Sequence, residues 1–190
     1  MRGASSTRDG DTSSIPGWVP VLLFIASASA WSGALWLYFG AAYADLSGTK
    51  FPLPDQPLEV LGSPESVELG SLQGEPYLIN FWASWCVTCQ TENKFLHEIA
   101  SENIRLVGIA LKDDPISAEG WLQQFGSPFQ LSLVDSSGSY GERLGVQGAP
   151  ETFLVDRDGN VRFHYQGLIQ PEVWQSRIRP LYLQLRGDSP

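Results

Sequence analysis

A short apolar run, Tyr77-Leu-Ile-Asn-Phe81, gives way to Phe95, Leu96 and Ile99 at helical spacing, and two cysteines stand at the change of period, Cys86-Val87-Thr88-Cys89. The pattern predicts a buried strand over 77–81 and a helix from Cys86 to about Ser101. A C-x-x-C at a strand-to-helix junction has a definite chemical use. The first cysteine sits where unpaired backbone N–H groups and the helix dipole stabilise negative charge, which favours the nucleophilic thiolate. The second lies one turn further in, close enough to displace a mixed disulfide. Cys86 is therefore the candidate nucleophile and Cys89 the resolving thiol, with Trp85, Val87 and Thr88 around them. The alternative is a pair of core cysteines that happen to be spaced this way, which the junction and the Trp82-x-x-Trp85 neighbourhood argue against.

The same two cysteines exclude other chemistries. They are the only ones in the chain, so a disulfide-stapled scaffold is ruled out. A structural zinc site would need both histidines, His97 and His164, as its remaining ligands, and no metal is expected. No C-x-x-C-H occurs, so the chain does not carry covalent haem itself. A formal charge of −9, without a basic run, argues against nucleic acid as a partner.

The N-terminal part has its own organisation. Residues 1–17 are too polar to form a core. No charged residue occurs between Asp11 and Asp45, and the apolar stretch 18–40 is long enough to span a hydrocarbon core of about 30 Å at 1.5 Å per residue. Trp18 marks one end and Trp36, Tyr38 and Tyr43 the other, as in an aromatic belt. The competing readings are a buried helix and a secretory signal, for which Ala42-Tyr43-Ala44 offers a small-residue cleavage site. The run exceeds a signal's apolar core, so an anchor is expected. Arg2 and Arg8 before it place the N-terminus in the cytoplasm and the remainder outside. Residues 41–56 read as an extended linker and 57–190 as the folded domain.

Further along, strands are expected over 104–111 and 131–134, with a helix over 117–125 between them. Another strand starts at Thr152, and Asp158-Gly159 signals a turn. Beyond it Val161, Phe163 and Tyr165 alternate with Arg162, His164 and Gln166, which predicts a half-buried strand with His164 facing solvent. A last helix opens at Pro171 with Trp174, Ile178, Leu181 and Leu185 as its apolar stripe, and Pro180 should kink it or end its first part. The order β-α-β-α-β-β-β-α predicts an α/β domain, a central mixed β-sheet flanked by helices.

Gly148-Ala149-Pro150-Glu151-Thr152 ahead of a strand resembles the thioredoxin superfamily, in which a cis-proline at this place faces the active-site cysteines. The resemblance implies a thioredoxin-like fold, preceded here by one N-terminal transmembrane helix, and a backbone edge that pairs with an extended substrate. Phe81–Cys89, Glu92, Val107–Asp114 and Gly145–Gly159 together resemble the cytochrome c biogenesis thiol:disulfide interchange family, the CcmG/DsbE type. The likeness runs over about residues 57–185 plus the anchor. It implies a periplasmic protein held in the inner membrane that reduces the haem-attachment cysteines of apocytochrome c, directly or through a maturation partner. A membrane thiol transporter would supply its electrons, and no cofactor beyond the Cys86–Cys89 disulfide is implied. Gln147, Gly148 and Ala149 would line the substrate groove.

Two departures bear on this. The family usually has Pro at the position of Val87 and Tyr at that of Gln147, which puts the redox poise and the groove beside Pro150 in question. Many thioredoxins also resemble one another in a buried Asp where this chain has Asn80. Asn cannot take a proton, so either Glu92 or Glu151 is expected to manage that of Cys89. Their plain alternatives are an exposed first-turn residue for Glu92 and a solvated loop residue for Glu151. The rival functions are a general envelope oxidoreductase, a copper-binding chaperone on the same fold, and a peroxidase. The peroxidase would want Thr at the position of Ala83.

Overall fold

The computed structural model describes residues 50–187. The apolar stretch 18–40, expected to be an anchor, lies outside the described residues. Among those described, no helix is long and apolar enough to cross a membrane.

Eight strands form one mixed sheet: β1 (Phe51–Pro52), β2 (Leu58–Val60), β3 (Ser66–Val67), β4 (Tyr77–Trp82), β5 (Leu106–Leu111), β6 (Leu131–Asp135), β7 (Glu151–Val155) and β8 (Asn160–Gln166). Their spatial order is β1-β8-β7-β4-β5-β6-β2-β3. β4, β5 and β6 run parallel, joined by helical crossovers α1 (Val87–Ser101) and α2 (Pro115–Phe125), while β7 and β8 return antiparallel. α3 (Ser139–Leu144) links β6 to β7, and a C-terminal helical segment runs from Pro171 to Arg186.

Both faces of the sheet are covered, and strand alternation assigns the residues to them. Tyr77, Ile79 and Phe81 of β4 join Val107, Ile109, Phe153 and Val155 in one cluster, capped by Tyr140 and Leu144 of α3. Leu78 of β4 turns the other way, into a cluster with Leu96, Ile99, Trp174, Ile178 and Tyr182 of the overlying helices. Trp82 continues that second face toward the cysteines, where it packs with Ala110, Ala118, Trp121 and Val134. Gly108 is required there. A Cβ on it would lie 2.5 Å from the Phe129 ring, which stacks on Trp82 at a centroid distance of 6.0 Å.

Four features depart from or refine the sequence reading. Residues 51–53, expected in a linker, are extended but belong to the sheet: Phe51 and Pro52 pair with β8, and Leu53 is buried in the core. The β2–β3 hairpin and α3 were not foreseen, because strands of two or three residues and a six-residue helix carry too little periodicity to register. At Pro180 the first part of the last helix does end, at Ile178, but through a change of winding and not a stop. The chain widens into a π-turn over Trp174–Ile178, where the Arg179 N–H reaches back to the Trp174 carbonyl, and the α-helix resumes over Arg179–Arg186. Such a turn accommodates a residue that has no N–H to donate.

The fourth concerns β8. Leu154 pairs with Phe163 but Val155 pairs with Val161, so Arg162 is an extra residue in a β-bulge. The bulge breaks the alternation. Val161 faces the first cluster, whereas Phe163 and Tyr165 face the second. His164 thereby swings back onto the face of its partner Phe153. The expectation that His164 points into solvent is corrected.

Candidate active site

β4 ends in a tight loop, and α1 starts directly behind it. Cys86 is the N-cap of α1, with extended backbone, and its Sγ accepts the N–H of Cys89 at 3.1 Å. The two sulfurs form a disulfide. Both are largely buried, Cys86 at 6% exposure and Cys89 at 2%, so the nucleophile side is the more open. Trp85 and Val87 flank them and are exposed, as is Thr88. At the start of α1 no acidic or basic side chain occupies the first turn, so the field at Cys86 comes from backbone N–H groups and the helix dipole.

The loop is tied down from β5. Asp113 accepts the Ser84 N–H and, at 2.8 Å, the Ser84 hydroxyl. The Trp85 indole N–H donates to the Lys112 carbonyl at 3.3 Å. Lys112 has a φ of +48°, a left-handed conformation uncommon for a residue with a side chain. It turns the chain so that the carbonyl of one residue and the carboxylate of the next both reach the cysteine loop. In the sequence Lys112 and Asp113 stand out only as part of Val107–Asp114, where an acidic pair ending a buried strand is the signal that marks them.

Residues 147–150 approach from the other side. The Ala149–Pro150 bond is cis, the isomer implied by the resemblance, and the Ala149 carbonyl oxygen lies 3.5 Å from Cys86 Sγ. Pro150 is buried, Gly148 and Ala149 are half-buried, and Gln147 is exposed. Of the three residues expected to line a groove, Ala149 is the one that meets Cys86, and Gln147 and Gly148 precede it in the same loop.

The two carboxylates have separate surroundings. Glu92 is not an exposed first-turn residue; it is 1% exposed. Its oxygens accept the Ile169 N–H at 2.7 Å and the Asn80 amide at 3.1 Å, and Asn80 also donates to the Thr152 hydroxyl at 3.0 Å. Burial pushes the Glu92 carboxyl up to about 7, against the opposing pull of those two N–H donors. Glu151 is not a solvated loop residue either, at 3% exposure. Its Oε1 accepts the N–H groups of Gln147 and Gly148 at 2.7 and 2.9 Å, and its Oε2 meets His164 Nε2 at 2.7 Å. In the register of β4 and β7, Asn80 faces Thr152 while Phe81 faces Glu151. The Glu92 side chain, one turn along α1 from Cys89, thus meets the sheet on the face of Asn80 and Thr152, and Glu151 points to the opposite face.

No group of three or more His, Cys, Asp or Glu side chains among the described residues is arranged to hold a metal ion. A disulfide-bonded Cys86–Cys89 pair at the start of a helix behind the central strand, faced by the Ala149-Pro150 loop, defines a thiol–disulfide oxidoreductase of thioredoxin-like fold.

Comparison with known proteins narrows that class. Residues 46–175 match the Redoxin family. The thiol:disulfide interchange protein DsbE of Escherichia coli K12 is 39% identical over 174 residues, covering 86% of this chain and 91% of the relative. The Yersinia pestis protein of the same name is 44% identical over 140 residues, covering 73% of this chain and 74% of its own. Among solved structures, MTB DsbF in its mixed oxidized and reduced forms superposes with a TM-score of 0.60 at 27% identity, covering 68% of this chain and 98% of that one. A thio-disulfide isomerase from Thermus thermophilus gives 0.57 at 27% identity, over 74% and 98% of the two chains. The chain belongs to the DsbE family of thiol:disulfide interchange proteins.

Proposed function

We propose that this protein is a membrane-anchored periplasmic reductant that opens the disulfide between the haem-attachment cysteines of apocytochrome c, or one carried by a maturation partner. The observation that carries the reading is Cys86 at the N-cap of α1, facing the Ala149 carbonyl of a loop whose GAPETF sequence resembles the dedicated reductants. An anchor at 18–40 and an outward-facing domain follow from the sequence reading, and the substrate from the family resemblance.

In the reduced enzyme, the Cys86 thiolate attacks one sulfur of the substrate disulfide. A mixed disulfide forms and the other substrate sulfur leaves as thiolate. Cys89, once deprotonated, displaces the bound substrate sulfur. The substrate is released as a dithiol and the Cys86–Cys89 disulfide forms, so two electrons have moved from enzyme to substrate. A membrane thiol transporter would return the enzyme to its dithiol form. Residues 147–149 offer a backbone edge for an extended peptide, and Trp85 and Val87 offer it apolar surface beside the sulfur.

Glu92 is assigned to the Cys89 proton. It lies one turn along α1 from Cys89 and is buried like it, and with its carboxyl pushed up to about 7 it can accept or return a proton near neutral pH. Glu151 has both oxygens committed to the loop and to His164.

A general envelope oxidoreductase is the second reading, favoured by Val87 and Gln147 where the family resemblance leads one to expect Pro and Tyr. Mixed-disulfide trapping separates the two. Cys89→Ser leaves Cys86 able to attack but unable to release its catch. In membranes that make c-type cytochromes, capture of apocytochrome c or its maturation partners supports the dedicated reductant. A broad set of envelope proteins would overturn it in favour of the general enzyme.

A further inference from the structure

The loop that faces Cys86 is held from beneath by a chain of contacts that ends on a histidine. Glu151 Oε1 accepts two consecutive backbone N–H groups, those of Gln147 and Gly148. Its Oε2 is fixed at 2.7 Å by His164 Nε2. The histidine is itself held: its ring lies parallel to that of Phe153, with centroids 4.0 Å apart and planes 7° from parallel. Phe153 is fully buried, edge-on to Phe81 at 5.7 Å. The bulge at Arg162 produces this placement by setting His164 opposite Phe153 and diagonal to Glu151. At the far end of the loop the Gly167 N–H donates to the Pro150 carbonyl at 2.9 Å.

A carboxylate gripped at both oxygens has one orientation. Without a donor at Oε2 it can rotate, and the two N–H groups that define the line of residues 147–149 lose their common acceptor. The Ala149 carbonyl beside Cys86 Sγ would then be placed less sharply.

We infer that His164 is a positioning residue for peptide recognition: through Glu151 it sets the Gln147–Ala149 backbone edge against which an extended disulfide substrate is laid beside Cys86. It does not touch the reacting sulfurs. The inference rests on the reading of residues 147–149 as the substrate edge, and it predicts a defect confined to substrates that use that edge. A small aryl disulfide, which needs only an open Cys86, is the control.

The test uses the full-length protein with His164→Phe, which keeps the ring stack on Phe153 and removes the nitrogen donor, and His164→Gln, which restores a donor. His164→Leu replaces the Phe variant should that one fail to fold. Reduction of a peptide containing a disulfide-bonded cysteine pair is compared with reduction of the aryl disulfide. Hydrogen exchange followed by mass spectrometry reads the amides of residues 147 and 148. For His164→Phe the expected results are faster exchange at those amides and a peptide KM raised about five-fold, the equivalent of roughly one net hydrogen bond. The kcat and the aryl-disulfide rate stay as in the wild type, and Gln recovers most of the KM. Unchanged exchange and KM in the Phe variant overturn the inference, and so does an equal loss on both substrates. Failure of the edge reading looks different. It shows in the wild type, as a peptide reaction that does not saturate.

Discussion

Replacing Glu92 by Gln tests the buried carboxyl and its assigned task together. Folding moves this group from an ordinary 4.5 to about 7, chiefly through burial. Between those two values the folded protein holds a proton that the unfolded chain has released, so stability falls as pH rises through the window. Above about 7 both states are ionised and the loss is complete. Moving a carboxyl this far corresponds to about 3 kcal/mol. Gln cannot ionise, so this loss disappears. The variant should gain on the wild type by about 2.5 kcal/mol between pH 5 and pH 8, whatever its offset at pH 5.

The offset itself should be small. The Oδ1 of Asn80 is buried without a partner. Turning the Asn80 amide would present that oxygen to the new Gln N–H and to the Thr152 hydroxyl, while the Gln oxygen keeps the Ile169 N–H. Guanidinium unfolding of the oxidised protein at a series of pH values reads the difference. Two stability curves that stay parallel across the window would refute the burial argument. A second readout concerns the reaction. If Glu92 manages the Cys89 proton, Glu92→Gln slows disulfide exchange and shifts the apparent titration of Cys86; unchanged values of both would remove Glu92 from the mechanism while leaving the stability argument intact.

Three more outcomes are expected. Asp113→Ala removes the acceptor of the Ser84 N–H and hydroxyl and of the Asp114 N–H at 2.9 Å; it should cost about 2 kcal/mol in denaturant unfolding, and a loss below about 0.5 kcal/mol would mean that the tie from β5 is dispensable. Gly108→Ala drives a methyl into Phe129 and should destabilise by about 2 kcal/mol through overpacking, with a changed near-ultraviolet circular dichroism signal from the Trp82 cluster. Trp85→Ala removes a side chain that is 57% exposed and should leave stability within about 0.5 kcal/mol, yet lower kcat/KM for a peptide disulfide. Equal kcat/KM would show that the indole is not part of the groove.

Long periodic segments and the chemistry at their junctions were legible in the sequence. β4, α1 and β5 announce themselves because each contributes a run of buried side chains, and the cysteines announce the site because a helix N-terminus gives a thiolate its use. What was not legible depends on contacts between distant residues. One extra residue at Arg162 reverses the face of everything after it in β8, and nothing in the alternation of Val161, Phe163 and Tyr165 reveals it. Glu92 and Glu151 were named from the family resemblance, but their burial follows from what packs on them. Glu92 finds its donors in Asn80, in an adjoining strand, and in Ile169, at the far end of the chain. Asp113 escaped for the same reason, since its partner Ser84 lies in another loop.

The division between the two carboxylates follows from the parity of one strand. Thr152 and Glu151 are neighbours in β7, so they face opposite sides of the sheet, and so do the Asn80 and Phe81 they oppose in β4. The side beneath α1 brings Asn80 and Thr152 to the buried Glu92, whose carboxyl burial pushes up to about 7. The other side gives Glu151 two backbone N–H groups and a histidine, a set that suits holding a loop. In the proposed reading the two carboxyls have different tasks, one moving a proton and the other placing a substrate. In the proposed mechanism the alternation of β7 gives each task its own carboxyl, Glu92 for the Cys89 proton on one face and Glu151 for residues 147–149 on the other.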